Sequence, residues 1–166
     1  DSFSNQVINR HLFQRLKKQF NLIQYSEDTI IFVGCDYVQS QIMSQDHYLN
    51  LLDCVFKLHK YCEIIYIPHR GEAKDDLNDI SKRFSFVAIK QLSYPIELLG
   101  CYESVISRKI MSFSSTALAT LHYVYDDVCI EAYQFDFQLL LDQTKIGSFS
   151  NIYQFLRTII SVKDLD

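Results

Sequence analysis

A histidine and an arginine follow directly on a short apolar run of the chain. Residues 64–67 form this run, Pro68 stiffens its end, and His69, Arg70 and Gly71 come next. A histidine can donate a hydrogen bond to a phosphate or act as a general acid toward a leaving group, and an arginine adds positive charge. These residue types indicate one wall of an anion-binding site, although a loop histidine with an ordinary structural role fits the same pattern. Gly71 permits an unusual backbone conformation, which favours a loop of defined shape.

Three consecutive hydroxyl residues form a second candidate wall. Ser114, Ser115 and Thr116 separate an apolar run from the start of a predicted helix. Such residues offer hydroxyl donors and backbone N–H groups at a helix N-terminus, where the helix dipole also favours negative charge. A single serine that only caps the helix explains the motif equally well. Opposite a histidine, the three residues together favour phosphate binding.

An acidic residue lies between these two segments. Glu97 comes shortly after Pro95, which is typical of the first turn of a helix. Its carboxylate is suited to the vicinal hydroxyls of a ribose, as in other nucleotide-binding folds, but a helix start also stabilises any carboxylate. The adjacent Asp126 and Asp127 are typical of a turn and not of a metal site. The glycine-rich dinucleotide motif, the P-loop, the nucleophile elbow and the HExxH zinc motif are absent from the sequence.

Alternating strands and helices position these candidates. Apolar runs predict strands at residues 29–33, 63–67, 84–89, 108–113 and 128–133. Helical spacing and capping signals predict helices at residues 5–20, 45–60, 94–99 and 115–124, with further helical stretches near 136–143 and 149–161. This alternation predicts an α/β, Rossmann-like fold, with a mostly parallel sheet, right-handed crossovers and helices on both faces.

The candidate residues collect at the carboxyl ends of the predicted strands. Gly34 ends the first strand, His69 follows the second, Glu97 follows the third, and Ser114 follows the fourth. Ligands of an open parallel sheet bind beyond these ends. The sequence therefore predicts one crevice for a phosphorylated ligand.

Length and composition indicate one globular domain. The 166 residues are 48% hydrophobic and 22% charged, which suits one core and is too little for two ordinary domains. We expect an N-terminal helix and lead-in at residues 1–28, a Rossmann-like core at 29–133 and C-terminal helices at 134–166. The net charge of −4 argues against a general nucleic-acid binder, and no apolar run approaches the roughly 20 residues that cross a bilayer.

The cysteines indicate the redox compartment of the protein, and the first residue indicates whether the chain is part of a longer one. Five cysteines occur without a CxxC pair, which argues against zinc or a dithiol redox site and favours buried free thiols in a reducing cytosol. The chain begins at Asp1 without a methionine, so we expect a piece of a longer protein.

The order of the motifs resembles a known family. A strand ending in Gly34 is followed by Tyr-Ile-Pro-His at 66–69, Tyr-Pro-Ile-Glu-Leu-Leu at 94–99 and Ser-Phe-Ser-Ser-Thr-Ala-Leu at 112–118. This series resembles the bacterial sialyltransferases that modify lipooligosaccharide and the related capsular polysialyltransferases, over most of the chain. The resemblance implies the C-terminal, donor-binding half of a two-domain GT-B glycosyltransferase. It also implies inverting transfer from CMP-sialic acid without a cofactor or a metal.

The resemblance further implies a role for each candidate residue. His69 matches the histidine that contacts the CMP phosphate and assists its departure, and Ser114 and Ser115 match the serine pair at that phosphate. Glu97 matches the acidic residue that holds the ribose, and Gly34 lies on the ribose and cytidine side. Negative charge grows on the donor phosphate as the glycosidic bond breaks, so aligned donors stabilise the transition state.

Two departures from the family pattern matter. The family usually has a proline directly after the histidine, whereas this chain has Arg70, which we place at the phosphate. The acceptor-activating carboxylate of the family belongs to the N-terminal domain, and nothing in this chain matches it. We therefore expect CMP binding with little or no transfer by these residues alone, and a glycan acceptor held through an N-terminal domain. The implied location is cytoplasmic and peripheral to the inner membrane.

Two other functions stay open on the sequence. A related glycosyltransferase with another nucleotide sugar fits the same residues, because they contact the nucleotide more than the sugar. A domain that keeps the fold and serves only in interaction or assembly fits the aromatic content of 14%.

Overall fold

Six strands of the described chain form one sheet in which all neighbours are parallel. The computed structural model describes residues 23–165, together with residues 14, 16–18 and 20. The strands are β1 (Gln24–Val33), β2 (Glu63–Ile67), β3 (Val87–Ile89), β4 (Val105–Ser112), β5 (Cys129–Gln134) and β6 (Ser161–Asp164). Their order in the sheet is β3-β2-β1-β4-β5-β6. The predicted α/β, Rossmann-like architecture is confirmed.

Helices connect these strands. The described α-helices are α1 (Gln45–Leu58), α2 (Lys74–Arg83), α3 (Leu99–Tyr102), α4 (Ala117–Val124) and α5 (Ile146–Arg157). Short 3-10 helices occur at Ile96–Leu98, Phe137–Leu139 and Gln143–Lys145. Ser44 caps α1, because its Oγ accepts a hydrogen bond from the His47 N–H at 3.2 Å. Within the described residues, no helix is long and apolar enough to cross a membrane.

Helices cover both faces of the sheet. Phe32 of β1 pairs with Tyr66 of β2, and Phe32 packs against Phe56 of α1 with ring centroids 5.5 Å apart. The next pair in the register, Val33 and Ile67, points to the opposite face. There the two side chains share a cavity wall with the first turn of α4.

An aromatic cluster fixes the loop that follows β1. Tyr37 is only 4% exposed. Its ring lies 5.7–6.1 Å, centroid to centroid, from the rings of Tyr48, Phe113, Phe135 and Phe149. Such aromatic pairs add to the stability gained from burial alone. The cluster therefore anchors the carboxyl edge of the sheet between β1 and β4.

Two elements were not predicted from the sequence. Helix α2 is strongly polar, and its buried side chains are Asp76, Leu77 and Ile80. Strand β6 lies in a region predicted to be helical; α5 ends at Arg157, and β6 then pairs with β5 at the edge of the sheet. Both elements have too few apolar residues to give a clear periodic signal.

Several predicted boundaries also differ. β1 begins at Gln24, and β3 is confined to Val87–Ile89 because the preceding Phe84 still hydrogen-bonds to α2. The helix predicted at 94–99 is a 3-10 turn, Ile96–Leu98, that continues into α3. The helix predicted at 5–20 lies largely outside the described residues.

The cysteines are free thiols, but the prediction that all five are buried is wrong. Only Cys35 is buried; Cys62 and Cys101 are partly exposed, and Cys54 and Cys129 are exposed. Cys54 lies on the outer side of α1, and Cys129 is the first residue of β5. An apolar neighbourhood in sequence therefore does not place these side chains in the core.

Candidate functional site

A cavity of about 830 Å³ opens at the carboxyl edge of the sheet. The strand order reverses between β1 and β4, which is where ligands bind in open α/β sheets. The walls of the cavity come from the ends of β1 and β2, the loops after β2 and β3, and the start of α4. Four of the six candidate residues line it, namely His69, Arg70, Glu97 and Ser115.

The loop after β2, residues 68–72, forms what we call the loop wall. Its turn is closed by a hydrogen bond from the Glu72 N–H to the His69 carbonyl at 2.9 Å. The Gly71 N–H donates to Nδ1 of His69 at 3.1 Å. Because Nδ1 is the acceptor, the neutral imidazole carries its proton on Nε2. The ring therefore keeps one N–H donor for a ligand.

Gly71 is needed in this turn for space. None of the described glycines has a positive φ angle, so the expected unusual backbone is not what selects a glycine here. A Cβ at this position would lie 2.5 Å from Oδ2 of Asp36 and 3.2 Å from Nδ1 of His69. The turn and the loop after β1 thus approach each other too closely for a side chain.

Glu72 also lines the cavity and had no role assigned from the sequence. Its carboxylate accepts hydrogen bonds from the His69 backbone N–H at 2.6 Å and from the Tyr66 hydroxyl at 2.5 Å. Burial raises the pKa of Glu72 to about 7, and the nearby Asp76 and Asp36 act in the same direction. The available signal was a carboxylate in the loop after a buried strand, but such residues are usually solvated.

Buried tyrosines connect Glu72 to the loop after β1. The Cys35 N–H donates to the Tyr48 hydroxyl at 3.0 Å, and the hydroxyls of Tyr48 and Tyr66 are 2.8 Å apart. Tyr66 then donates to Glu72. Burial holds the pKa values of both tyrosines well above their ordinary value, so the hydroxyls keep their protons.

Residues 114–117, at the start of α4, form what we call the helix wall. The Ser114 hydroxyl contacts the Tyr37 hydroxyl, and the Ser114 N–H donates to the same Tyr37 oxygen at 3.1 Å. Ser114 does not line the cavity. Ser115 lines it, but its Oγ accepts a hydrogen bond from the Ala117 N–H at 3.3 Å, so it acts as a cap. The positive end of the α4 dipole remains on this side.

Glu97 provides a third wall. Its carbonyl accepts a hydrogen bond from the Tyr125 hydroxyl at 3.0 Å, and that hydroxyl also accepts the Gly100 N–H at 2.8 Å. These contacts tie the segment after β3 to the end of α4. Glu97 lines the same cavity as His69.

Gly34 is buried and supports the loop wall from below instead of lining the cavity. Its N–H donates to the Ile67 carbonyl at 2.8 Å. A Cβ here would collide with the Glu72 carboxylate and would lie 2.5 Å from the Tyr66 hydroxyl oxygen. The glycine therefore makes room for the Tyr66–Glu72 contact.

The cavity carries both signs of charge. Of the described residues that line it, Arg70 is the one Lys or Arg, and no described carboxylate pairs with it. The carboxylates in the lining are Glu72 and Glu97. Within the described part of the chain, no group of three or more His, Cys, Asp or Glu side chains is arranged to hold a metal ion. The expected independence from metal stays a prediction.

Comparisons of the chain with protein-family models and with curated proteins give no match. The family resemblance therefore stays a prediction from the order of the motifs.

Proposed function

We propose that the cavity binds the nucleotide of a CMP-sialic acid donor. The chain is then the donor-binding domain of a sialyltransferase-like glycosyltransferase that acts on bacterial surface glycans. The main support is that His69 and Arg70 line the same cavity as Glu97. Donors for a phosphate and an acceptor for ribose hydroxyls are thus combined in one place.

The size and position of the cavity support a nucleotide ligand. Small-molecule sites usually occupy about 300–1,000 Å³, and the cavity falls in this range. It lies at the point of the sheet where nucleotides bind in related architectures.

The chemistry of donor cleavage fits the loop wall. When the glycosidic bond to the phosphate oxygen breaks, negative charge grows on the departing CMP. The Nε2–H of His69 and the guanidinium of Arg70 then stabilise the phosphate, which lowers the barrier. The acceptor hydroxyl must lose its proton to a base, and none is assigned to this chain.

Calorimetric titration with CMP, UMP and GDP tests the proposal. We expect CMP to bind most tightly and His69→Ala to weaken its binding by at least about tenfold, the loss of one charge-assisted hydrogen bond. His47→Ala, which removes an exposed histidine of α1, is the matched control and keeps wild-type affinity. Preference for UMP or GDP would favour a glycosyltransferase with another donor. A folded protein that binds no nucleotide would overturn the proposal and favour an interaction domain.

A further inference from the structure

Hydrogen bonds link the Glu72 carboxylate to two backbone N–H groups, one directly and one through two tyrosine hydroxyls. The His69 N–H donates to Oε2, and the Tyr66 hydroxyl donates to Oε1. The Tyr66 hydroxyl is also hydrogen-bonded to the Tyr48 hydroxyl. The Tyr48 hydroxyl in turn accepts from the Cys35 N–H. A backbone N–H has no acceptor capacity, so the direction of donation is fixed at both ends.

This direction favours an ionised carboxylate at Glu72, which accepts at both oxygens. If Glu72 carried a proton and donated it to Tyr66, Tyr66 would have to donate to Tyr48. Tyr48 already accepts from the Cys35 N–H, so its own proton would lose its acceptor in a buried place. A buried donor without a partner is unfavourable. Protonation therefore weakens the contacts that close the turn.

The surroundings oppose ionisation at the same time. The titratable and charged groups near this carboxylate are Cys35 and Asp36 after β1, Tyr48 on α1, Tyr66 on β2, Asp76 on α2, and His69 and Arg70 on its own loop. Burial and the two aspartates place the pKa of Glu72 at about 7. The hydrogen bond from the His69 N–H to the Glu72 carboxylate should therefore strengthen and weaken as the pH passes through the neutral range.

We propose that Glu72 is a positioning residue for His69. Its ionised carboxylate holds the turn at residues 69–72 and so aims the imidazole at the nucleotide phosphate, and its protonation releases the turn and weakens nucleotide binding. The binding part of this inference rests on the proposed function; the hydrogen bond to the residue 69 N–H does not.

The first test is nuclear magnetic resonance of the backbone amide at position 69, without ligand. In the wild type its proton resonance shifts with pH, with a midpoint near Glu72's pKa of about 7. His69→Ala keeps this titration, because the backbone donor remains, whereas the double variant His69→Ala/Glu72→Gln abolishes it. Tyr66→Phe moves the midpoint to higher pH, because the hydroxyl stabilises the ionised carboxylate. A titration that persists in His69→Ala/Glu72→Gln would overturn the assignment.

The second test is CMP binding at two pH values. The ratio of the Glu72→Gln Kd to the wild-type Kd is expected to be about tenfold at pH 8 and to approach one at about pH 6, where wild-type Glu72 is mostly protonated. The ratio cancels the titration of the CMP phosphate, which is the same for both proteins. Glu63→Gln, an exposed glutamate at the start of β2, is the control and gives a ratio near one at both pH values. Wild-type affinity of Glu72→Gln at pH 8 would refute the positioning role.

The two tests separate two kinds of failure. If the amide titrates as expected but the wild type binds no CMP, the nucleotide proposal fails and the contact stands. If CMP binds but the amide titration survives in His69→Ala/Glu72→Gln, the positioning role fails and the proposed function stands.

Discussion

The loop wall and the helix wall of the cavity contain similar polar groups but use them differently. In the loop wall, the Gly71 N–H and the Glu72 carboxylate hold His69, and the Nε2–H and Arg70 remain available to a ligand. In the helix wall, the Tyr37 hydroxyl contacts the hydroxyl and the N–H of Ser114, and Ser115 caps α4. A run of hydroxyl residues at a helix start therefore does not by itself make a phosphate site. Whether these groups can bind a ligand depends on whether other groups of the protein already occupy them.

The residues beneath each wall cause this difference. Below the loop wall, Gly34 has no side chain and leaves room for a carboxylate. Below the helix wall, the aromatic cluster brings the Tyr37 hydroxyl to Ser114. The loop wall therefore presents donors to a ligand, whereas the polar groups of the helix wall stabilise the fold.

Gly34→Ala is the strongest way to break the loop wall. The added methyl group would overlap the Glu72 carboxylate and the Tyr66 hydroxyl, so we expect the free energy of unfolding to fall by about 3 kcal/mol. Urea denaturation measures this. Gly147→Ala has no heavy atom within 4 Å of its Cβ and, in α5, should be neutral or stabilising by up to about 1 kcal/mol. Equal losses in the two variants would contradict the packing argument.

The second test of the loop wall is how the free energy of unfolding depends on pH, because only this wall contains a carboxylate with a raised pKa. Glu72 has a pKa of about 7 in the folded protein against 4.5 as its ordinary value, so the folded state binds more protons between these values. Wild-type stability should therefore fall as the pH rises through this window, by about 2 kcal/mol after allowance for partial solvent exposure. Glu72→Gln should lack this decrease in urea titrations at a series of pH values. An identical slope in both proteins would count against a raised pKa.

Tyr37→Phe tests whether the helix wall serves the fold. Loss of the hydroxyl leaves the Ser114 N–H without its partner, which should lower the free energy of unfolding by about 1–2 kcal/mol. CMP affinity should change little, because Ser114 lies outside the cavity lining. Tyr61→Phe, at a side chain that is 90% exposed, is the control. A large loss of CMP affinity with unchanged stability would reverse the interpretation.

Ser115→Ala should have the smallest effect. The substitution removes the acceptor of the Ala117 N–H, and loss of such a cap typically lowers stability by about 1 kcal/mol. Thermal unfolding measures it. A selective loss of CMP binding without loss of stability would instead assign Ser115 to the phosphate.

Much of the fold could be predicted because long apolar runs are local signals. Strand β2 has the predicted bounds, Glu63–Ile67, since its apolar run lies between a glutamate and a proline. Helix α2 and strand β6 are largely polar, and only their tertiary packing makes them regular. Sequence periodicity cannot report such packing.

The site was predictable only in part, for a related reason. The placement of His69 and Glu97 on one cavity follows from a general rule about the carboxyl ends of parallel strands. The orientation of Ser114 depends on Tyr37, which is 77 positions away in the chain. The raised pKa of Glu72 depends on burial that no local motif shows.

The most direct test compares the affinities for CMP and for cytidine, because their difference isolates the phosphate. We predict that His69→Ala weakens CMP binding by at least about tenfold and leaves cytidine binding unchanged, whereas Ser114→Ala changes CMP binding by less than about twofold. Equal losses of CMP affinity in the two variants, or equal affinity of the wild type for CMP and cytidine, would contradict the assignment of the phosphate to the loop wall.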